Sequence, residues 1–207
     1  MSEYGVFIVE SLRGDDYFDG ESLSEILELS RIPNIYNEVH SISEFRDAIS
    51  KFKKSNFRYL HLSCHADMDG IQINGEDISN FELSKLFKNK IVKKRVFLSA
   101  CKGGNRNLAT VVISKCNGRS VIGTPIDLDF DKAALFWPSF YHVINNSDKD
   151  KMNKSNIKIT LERCVDLFEI PINYYHSING KHKLLKRCKF RHNKKNTEKT
   201  IKISNLS

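Results

Sequence analysis

Short apolar runs rich in β-branched residues alternate along the chain with segments whose apolar positions recur every three or four residues. The runs at 6–9, 35–39, 57–64, 95–100, 120–124 and 172–175 have the length and composition of strands. Between them, Leu23, Ile26 and Leu27 mark a helix over 21–29. Phe45, Ile49 and Phe52 mark another over 44–53, with Ser43 as its expected N-cap. Further helical patterns cover 80–86 behind Asn80, 105–114, 131–144 opening at Asp131, and 157–168. Asp69-Gly70, Ile71, Ile73 and Asn74-Gly75 form a small hairpin pattern. This alternation predicts an α/β fold: a doubly wound, mainly parallel sheet of about six strands, its site at the strands' carboxyl ends.

Composition changes this picture at one end only. The chain has 207 residues, 40% of them apolar, and a formal net charge of +8. Residues 181–202 hold ten Lys/Arg against the single acid Glu198, a net +9, so the remainder sums to −1. The expectation is one domain over 1–180 and a basic C-terminal tail over 181–207, either a hairpin or partly disordered. A solvated tail is favoured over contact with nucleic acid, because Phe190 is the only aromatic among those charges. No apolar stretch reaches the roughly 18 residues of a membrane span. Residues 4–9 read as a first core strand and not a signal peptide, so a cytoplasmic location is expected. Five cysteines, odd in number and without paired short spacing, argue against a disulfide framework and against a Cys-x-x-Cys zinc site.

Two strand ends carry reactive side chains. Tyr59-Leu-His-Leu-Ser-Cys-His65 ends in an imidazole and Val96-Phe-Leu-Ser-Ala-Cys101 in a thiol, about 30 residues apart, which is room for one crossover helix. As parallel neighbours these strands would end about 4.8 Å apart. Cys101 is the expected nucleophile and His65 the group that deprotonates it and then protonates the leaving amine. Lys102-Gly-Gly104 would let the backbone turn sharply, and a helix beginning near Asn105 would favour the thiolate. His61 lies deeper on the same face and is read as structural. Cys64 takes the other face and is read as core. A metal held by His61, His65 and Cys101 ranks low, since no supporting carboxylate is implied by spacing, and no cofactor is expected.

These blocks, with the following Ser-Val-Ile-Gly-Thr124 strand, the Phe140-Tyr141 helix and the opening Phe-Ile-Val-Glu-Ser-Leu with Phe18-Asp-Gly-Glu, resemble the caspase-like cysteine peptidases. The likeness is to the CHAT branch of the clan that holds caspases, metacaspases and separases, and it covers about residues 4–178. It implies a caspase-like fold and a cysteine endopeptidase working through a Cys–His dyad with no obligatory third member. Its oxyanion hole would be the backbone N–H groups of Cys101 and Ala66. The family usually has glycine at the second position; alanine keeps the donor but costs on the order of 1 kcal/mol if φ must be positive. The resemblance also implies a protein substrate, often encoded nearby, and a role in bacterial defence or regulated cell death. The alternative is a catalytically idle module that serves as a binding or regulatory partner.

The loops expected to crown the strands are rich in acid: Asp15, Asp16 and Asp19, then Asp67 and Asp69, then Asp127, Asp129 and Asp131. Singly each suits a turn or cap. Together they suggest an acidic mouth that favours cleavage after Arg or Lys. Asp127 is the expected pocket carboxylate, with Asp129 nearby. Arg13 is a substrate-binding candidate that would argue for acidic specificity instead, and Lys102 and Arg106 dilute the acidic case.

Overall fold

A computed structural model describes residues 3–14, 16–148, 152–178 and 181–203. The parallel part of its sheet contains β1 (Glu3–Ser11), β2 (Asn34–Glu38), β3 (Phe57–Ala66), β6 (Arg95–Ser99) and β7 (Ser120–Gly123), in the order β2-β1-β3-β6-β7. A small hairpin, β4 (Gly70–Ile73) and β5 (Glu76–Ser79), branches from the end of β3. Beyond β7 the sheet continues antiparallel through β8 (Ile172–Ile178), β9 (Lys181–Phe190) and β10 (Thr197–Lys202).

The protein is thus α/β with a mainly parallel central sheet flanked by helices, but the described residues form ten strands and not about six. Residues 181–202, expected as a tail, form the hairpin β9–β10 that extends the same sheet. Leu185, Cys188 and Phe190 are buried there among Lys and Arg. A hairpin is one of the two forms expected here; that it docks on the sheet needs only a few apolar residues, because a strand with one covered face requires no more. The outermost strand, β10, carries Lys199 and Lys202, which blunt an open edge. Asp15 and residues 204–207 lie outside the described residues.

Each face of the sheet has its own core. On one side pack α2 (Ile42–Lys54), α3 (Asn80–Phe87) and a π-helical segment, Thr110–Lys115, through Phe45, Phe52, Leu83, Phe87 and Val112. On the other pack α1 (Asp19–Leu29), α5 (Phe130–Ser147) and α6 (Lys154–Phe168), through Leu27, Trp137, Phe140, Tyr141 and Leu161. Three caps differ from expectation, the first being that of α5, where Asp129 and not Asp131 holds the N-cap position. Ser41, not Ser43, caps α2, accepting from Glu44 N–H. Ser79, not Asn80, caps α3, in a capping box closed by Glu82. The predicted helix over 105–114 is α-helical only in α4 (Arg106–Ala109) before it widens into the π segment.

Glu10, fully buried on β1, holds the start of α1. Its carboxylate accepts from Gly20 N–H at 2.7 Å, Glu21 N–H at 2.9 Å and the Tyr36 hydroxyl at 2.8 Å. A Cβ on Gly20 would meet this carboxylate at 3.0 Å, so glycine permits the approach. Phe18, at the N-cap position, has no capping side chain of its own.

Two buried histidines give the fold a pH dependence. Burial holds the imidazole of His61 down to about 3 and that of His176 down to about 4. Both are neutral in the folded chain, while in the unfolded chain each takes up a proton near about pH 6.5. Their contribution is therefore full above about pH 6.5 and is lost as the pH falls toward the folded values, by up to about 1.4 kcal/mol per pH unit for each. Urea denaturation is expected to give a midpoint that falls between about pH 7 and pH 4.5, less steeply in His61→Phe. A His61→Phe profile as steep as the wild type would remove His61 from the explanation.

Candidate active site

β3 and β6 are parallel neighbours, paired in register through Ser63 opposite Ser99. Two residues further along each chain path stand His65 and Cys101. Both line one cavity of about 80 Å³, together with Asp19, Ser99, Leu128 and Phe130. The Leu128 N–H donates to Cys101 Sγ at 3.4 Å, and Sγ in turn reaches Leu128 O at 3.8 Å. Of the five cysteines, Cys101 alone is not buried.

The turn after Cys101 is tightly fixed. Lys102 takes a left-handed φ of 53°, and its N–H donates to Ile126 O at 2.8 Å. Gly104 N–H donates to Thr124 O at 2.7 Å, and a Cβ at Gly104 would lie 2.1 Å from Gly123 O. Only glycine lets the turn press this closely on β7. Asn105 then caps α4, accepting from Leu108 N–H, while its amide donates to Asp67 O at 3.1 Å and Lys102 O at 2.9 Å. One side chain thereby ties the loop after His65 to the loop after Cys101.

His65 has an anchor that the sequence reading left out. Its Nε2 lies 2.8 Å from Asp16 Oδ2, which also accepts the Arg13 N–H at 2.9 Å. Burial pushes the Asp16 carboxyl up, but the Arg13 N–H and the His65 ring outweigh it, and the net direction is down. With Nε2 engaged, Nδ1 is the ring nitrogen that Asp16 does not hold. The Phe130 ring stands edge-on to the imidazole. Ala66 is not among the described residues with positive φ, so the anticipated cost of alanine there does not arise.

Asp19 is the carboxylate inside the cavity. It is buried, and accepts the hydroxyls of Ser63 and Ser99, each at 2.5 Å, one on each oxygen. Burial pushes its carboxyl up against the lowering effect of those two hydroxyls. The other candidates sit elsewhere. Asp127 is exposed and pairs with Lys102 at 3.1 Å, and Asp129 pairs with Lys132 at 2.6 Å. Arg13 reaches Gln72 at 3.0 Å. Gln72 borders a second cleft of about 380 Å³ beside His65, whose walls carry Asp67, Asp69, Asp77 and Glu82. The signal for Asp16 and Asp19 was the acidic loop after the first strand; what it lacked was which of its acids turn inward.

His61, as expected, is structural: it is buried, 3.2 Å from the Tyr141 hydroxyl through Nδ1 and edge-on to Trp137. Cys64 belongs to the core. The one group of potential metal ligands among the described residues is His176, Cys188 and Glu198, with ligand atoms within 4.8 Å of one another. Both Glu198 oxygens are already taken, by Lys158 at 2.8 Å and Lys186 at 3.0 Å. Burial pushes the Cys188 thiol up to about 11. Two ammonium groups and a protonated thiol make a poor cation site.

These surroundings separate the thiols. Burial pushes Cys64 up to about 12 and Cys116 and Cys164 up to about 11. Limited iodoacetamide treatment of the native protein is expected to place its first adduct on Cys101, by at least about 10-fold over any other cysteine. Equal labelling of Cys101 and Cys116 would show that Cys101 is not activated.

No family model matches the chain, and no curated protein matches it. Among solved structures, pyridoxal kinase from Entamoeba histolytica is similar at 8% identity and a TM-score of 0.30, over 92% of this chain and 74% of that one. So low a score carries no argument about fold family or activity.

Proposed function

We propose that this chain is a caspase-like cysteine endopeptidase that cleaves its protein substrate after Arg or Lys. The observation that carries the reading is the cavity shared by His65 and Cys101, with Asp16 holding the far nitrogen of the imidazole. In the proposed reaction His65 Nδ1 takes the thiol proton as Cys101 Sγ attacks the scissile carbonyl. The resulting oxyanion is met by the N–H groups of Cys101 and Ala66. The imidazolium then protonates the leaving amine, and a water activated by the same ring hydrolyses the thioester.

Basic specificity is supported by carboxylates in two places. Asp19 lies in the cavity beside Cys101, where a guanidinium or ammonium would be desolvated against it. The adjoining cleft has four acids in its walls, which suits further basic residues along the peptide. Asp19 replaces Asp127 as the proposed pocket carboxylate, because Asp127 is exposed and paired to Lys102.

Profiling with a fluorogenic peptide library tests this. Cleavage after Arg or Lys is expected, abolished in Cys101→Ala and reduced by roughly 10-fold or more in Asp16→Asn. Asp19→Asn is expected to lower basic selectivity together with stability, because the same carboxylate fastens Ser63 and Ser99. Preference for Asp at the cleavage position would overturn the specificity. Absence of turnover, with a cellular effect unchanged in Cys101→Ala, would favour the idle binding module.

A further inference from the structure

At the opposite end of β6 and β7 from Cys101, roughly 20 Å along the strand, the surface opens into a cleft of about 570 Å³. Lys93, Arg95, Arg119, Lys154, His176 and Lys186 line it, and no Asp or Glu does. The deepest of these is Arg95, which is 4% exposed. Its guanidinium donates to Ser120 Oγ at 3.0 Å, Tyr174 Oη at 3.2 Å and Met152 O at 3.2 Å, all of them neutral. Among the described residues no carboxylate pairs with Arg95, Arg119 or Lys154. A buried cation is normally kept by a counter-charge, and none of the described residues supplies it here.

Other features of the cleft point the same way. Arg119 is held below its ordinary value by burial and then by the neighbouring charge of Arg95. Lys154 is pushed down by burial and by Lys158. His176 is also 4% exposed. Its Nδ1 donates to Ser177 O at 2.9 Å, while Nε2 has no partner among the described residues. Glu198, with a carboxylate oxygen within 4.8 Å of His176, is already shared between Lys158 and Lys186.

We infer that this cleft binds a small polyphosphorylated anion that enters as the counter-ion of Arg95. Several cations spread over this volume exceed what one phosphate needs and suit a chain of two or three. Arginine forks match phosphate oxygens in pairs. The recess at Arg95 is too deep for a duplex backbone, and Tyr174 is buried, so its ring is no platform for stacking bases. Recognition is of the phosphate chain, whether inorganic or part of a nucleotide.

Calorimetric titration of the full chain with sodium tripolyphosphate tests this. One binding event per chain is expected, weakened at least 10-fold by Arg119→Gln and by Lys154→Gln. These two exposed positions are chosen because loss of the buried Arg95 could unfold the chain. Cys101→Ala is expected to bind as the wild type does, so the outcome is separate from that of the peptidase proposal. ATP matching tripolyphosphate would support recognition through the phosphate chain. Binding that sulfate at equal ionic strength reproduces, or that neither variant weakens, would overturn the site. So would tighter binding of a short DNA duplex that the same variants abolish, or zinc binding that is lost in Cys188→Ser.

Discussion

The buried carboxylate of Asp19 is the interaction on which the geometry of the candidate site depends. One of its oxygens takes the hydroxyl of Ser63 on β3 and the other that of Ser99 on β6, so the first residue of α1 is fastened to two neighbouring strands at once. Each serine stands two residues before a proposed catalytic side chain. Asp19 is itself placed by Glu10, whose carboxylate accepts the N–H groups of Gly20 and Glu21 at the opening of the same helix. A buried acid holds a helix end, the helix end holds a second buried acid, and the second acid sets the strand ends from which His65 and Cys101 emerge. Buried polar groups linked in this way tolerate one arrangement and penalise others, because a lost partner leaves a desolvated carboxylate behind.

Local pattern made the parallel strands, most helices and the placing of His65 and Cys101 at neighbouring strand ends legible in the sequence. A strand with reactive residues at its carboxyl end carries its own signal, and parallel neighbours need only the right spacing between them. Asp16, Glu10 and Asp19 were harder. Their partners are 49, 26 and 80 residues away at the farthest, and nothing local distinguishes an inward acid from a turn acid. Asp127 drew attention for following a strand directly, yet the Lys102 turn gave it a partner on the surface. For residues 181–202 the sequence leaves hairpin and disorder open, because charge dominates the composition, while three buried side chains suffice to dock the hairpin on the sheet.

Glycine at 104 and the left-handed Lys102 show a division of labour within one turn. Lys102 absorbs the backbone bend, and Gly104 supplies the close approach to β7. Asn105 then joins this turn to the loop after His65. Cys101 and His65 therefore stand beside loops that are bonded to each other as well as on paired strands.

The two ends of the parallel sheet differ in charge. Asp16, Asp19, Asp67, Asp69, Asp77 and Glu82 gather at the carboxyl end, and Lys93, Arg95, Arg119 and Lys154 at the other. Outside residues 181–202 these charges nearly cancel in the total, but cancellation in number is not cancellation in space. The two clefts thus present opposite signs at opposite ends of the strands. A charged partner is drawn by the cleft of opposite sign from about one Debye length away, roughly 8 Å in physiological salt. Cations are drawn toward one end and anions toward the other, so the separation of charge sorts its visitors by sign before any pocket reads their shape.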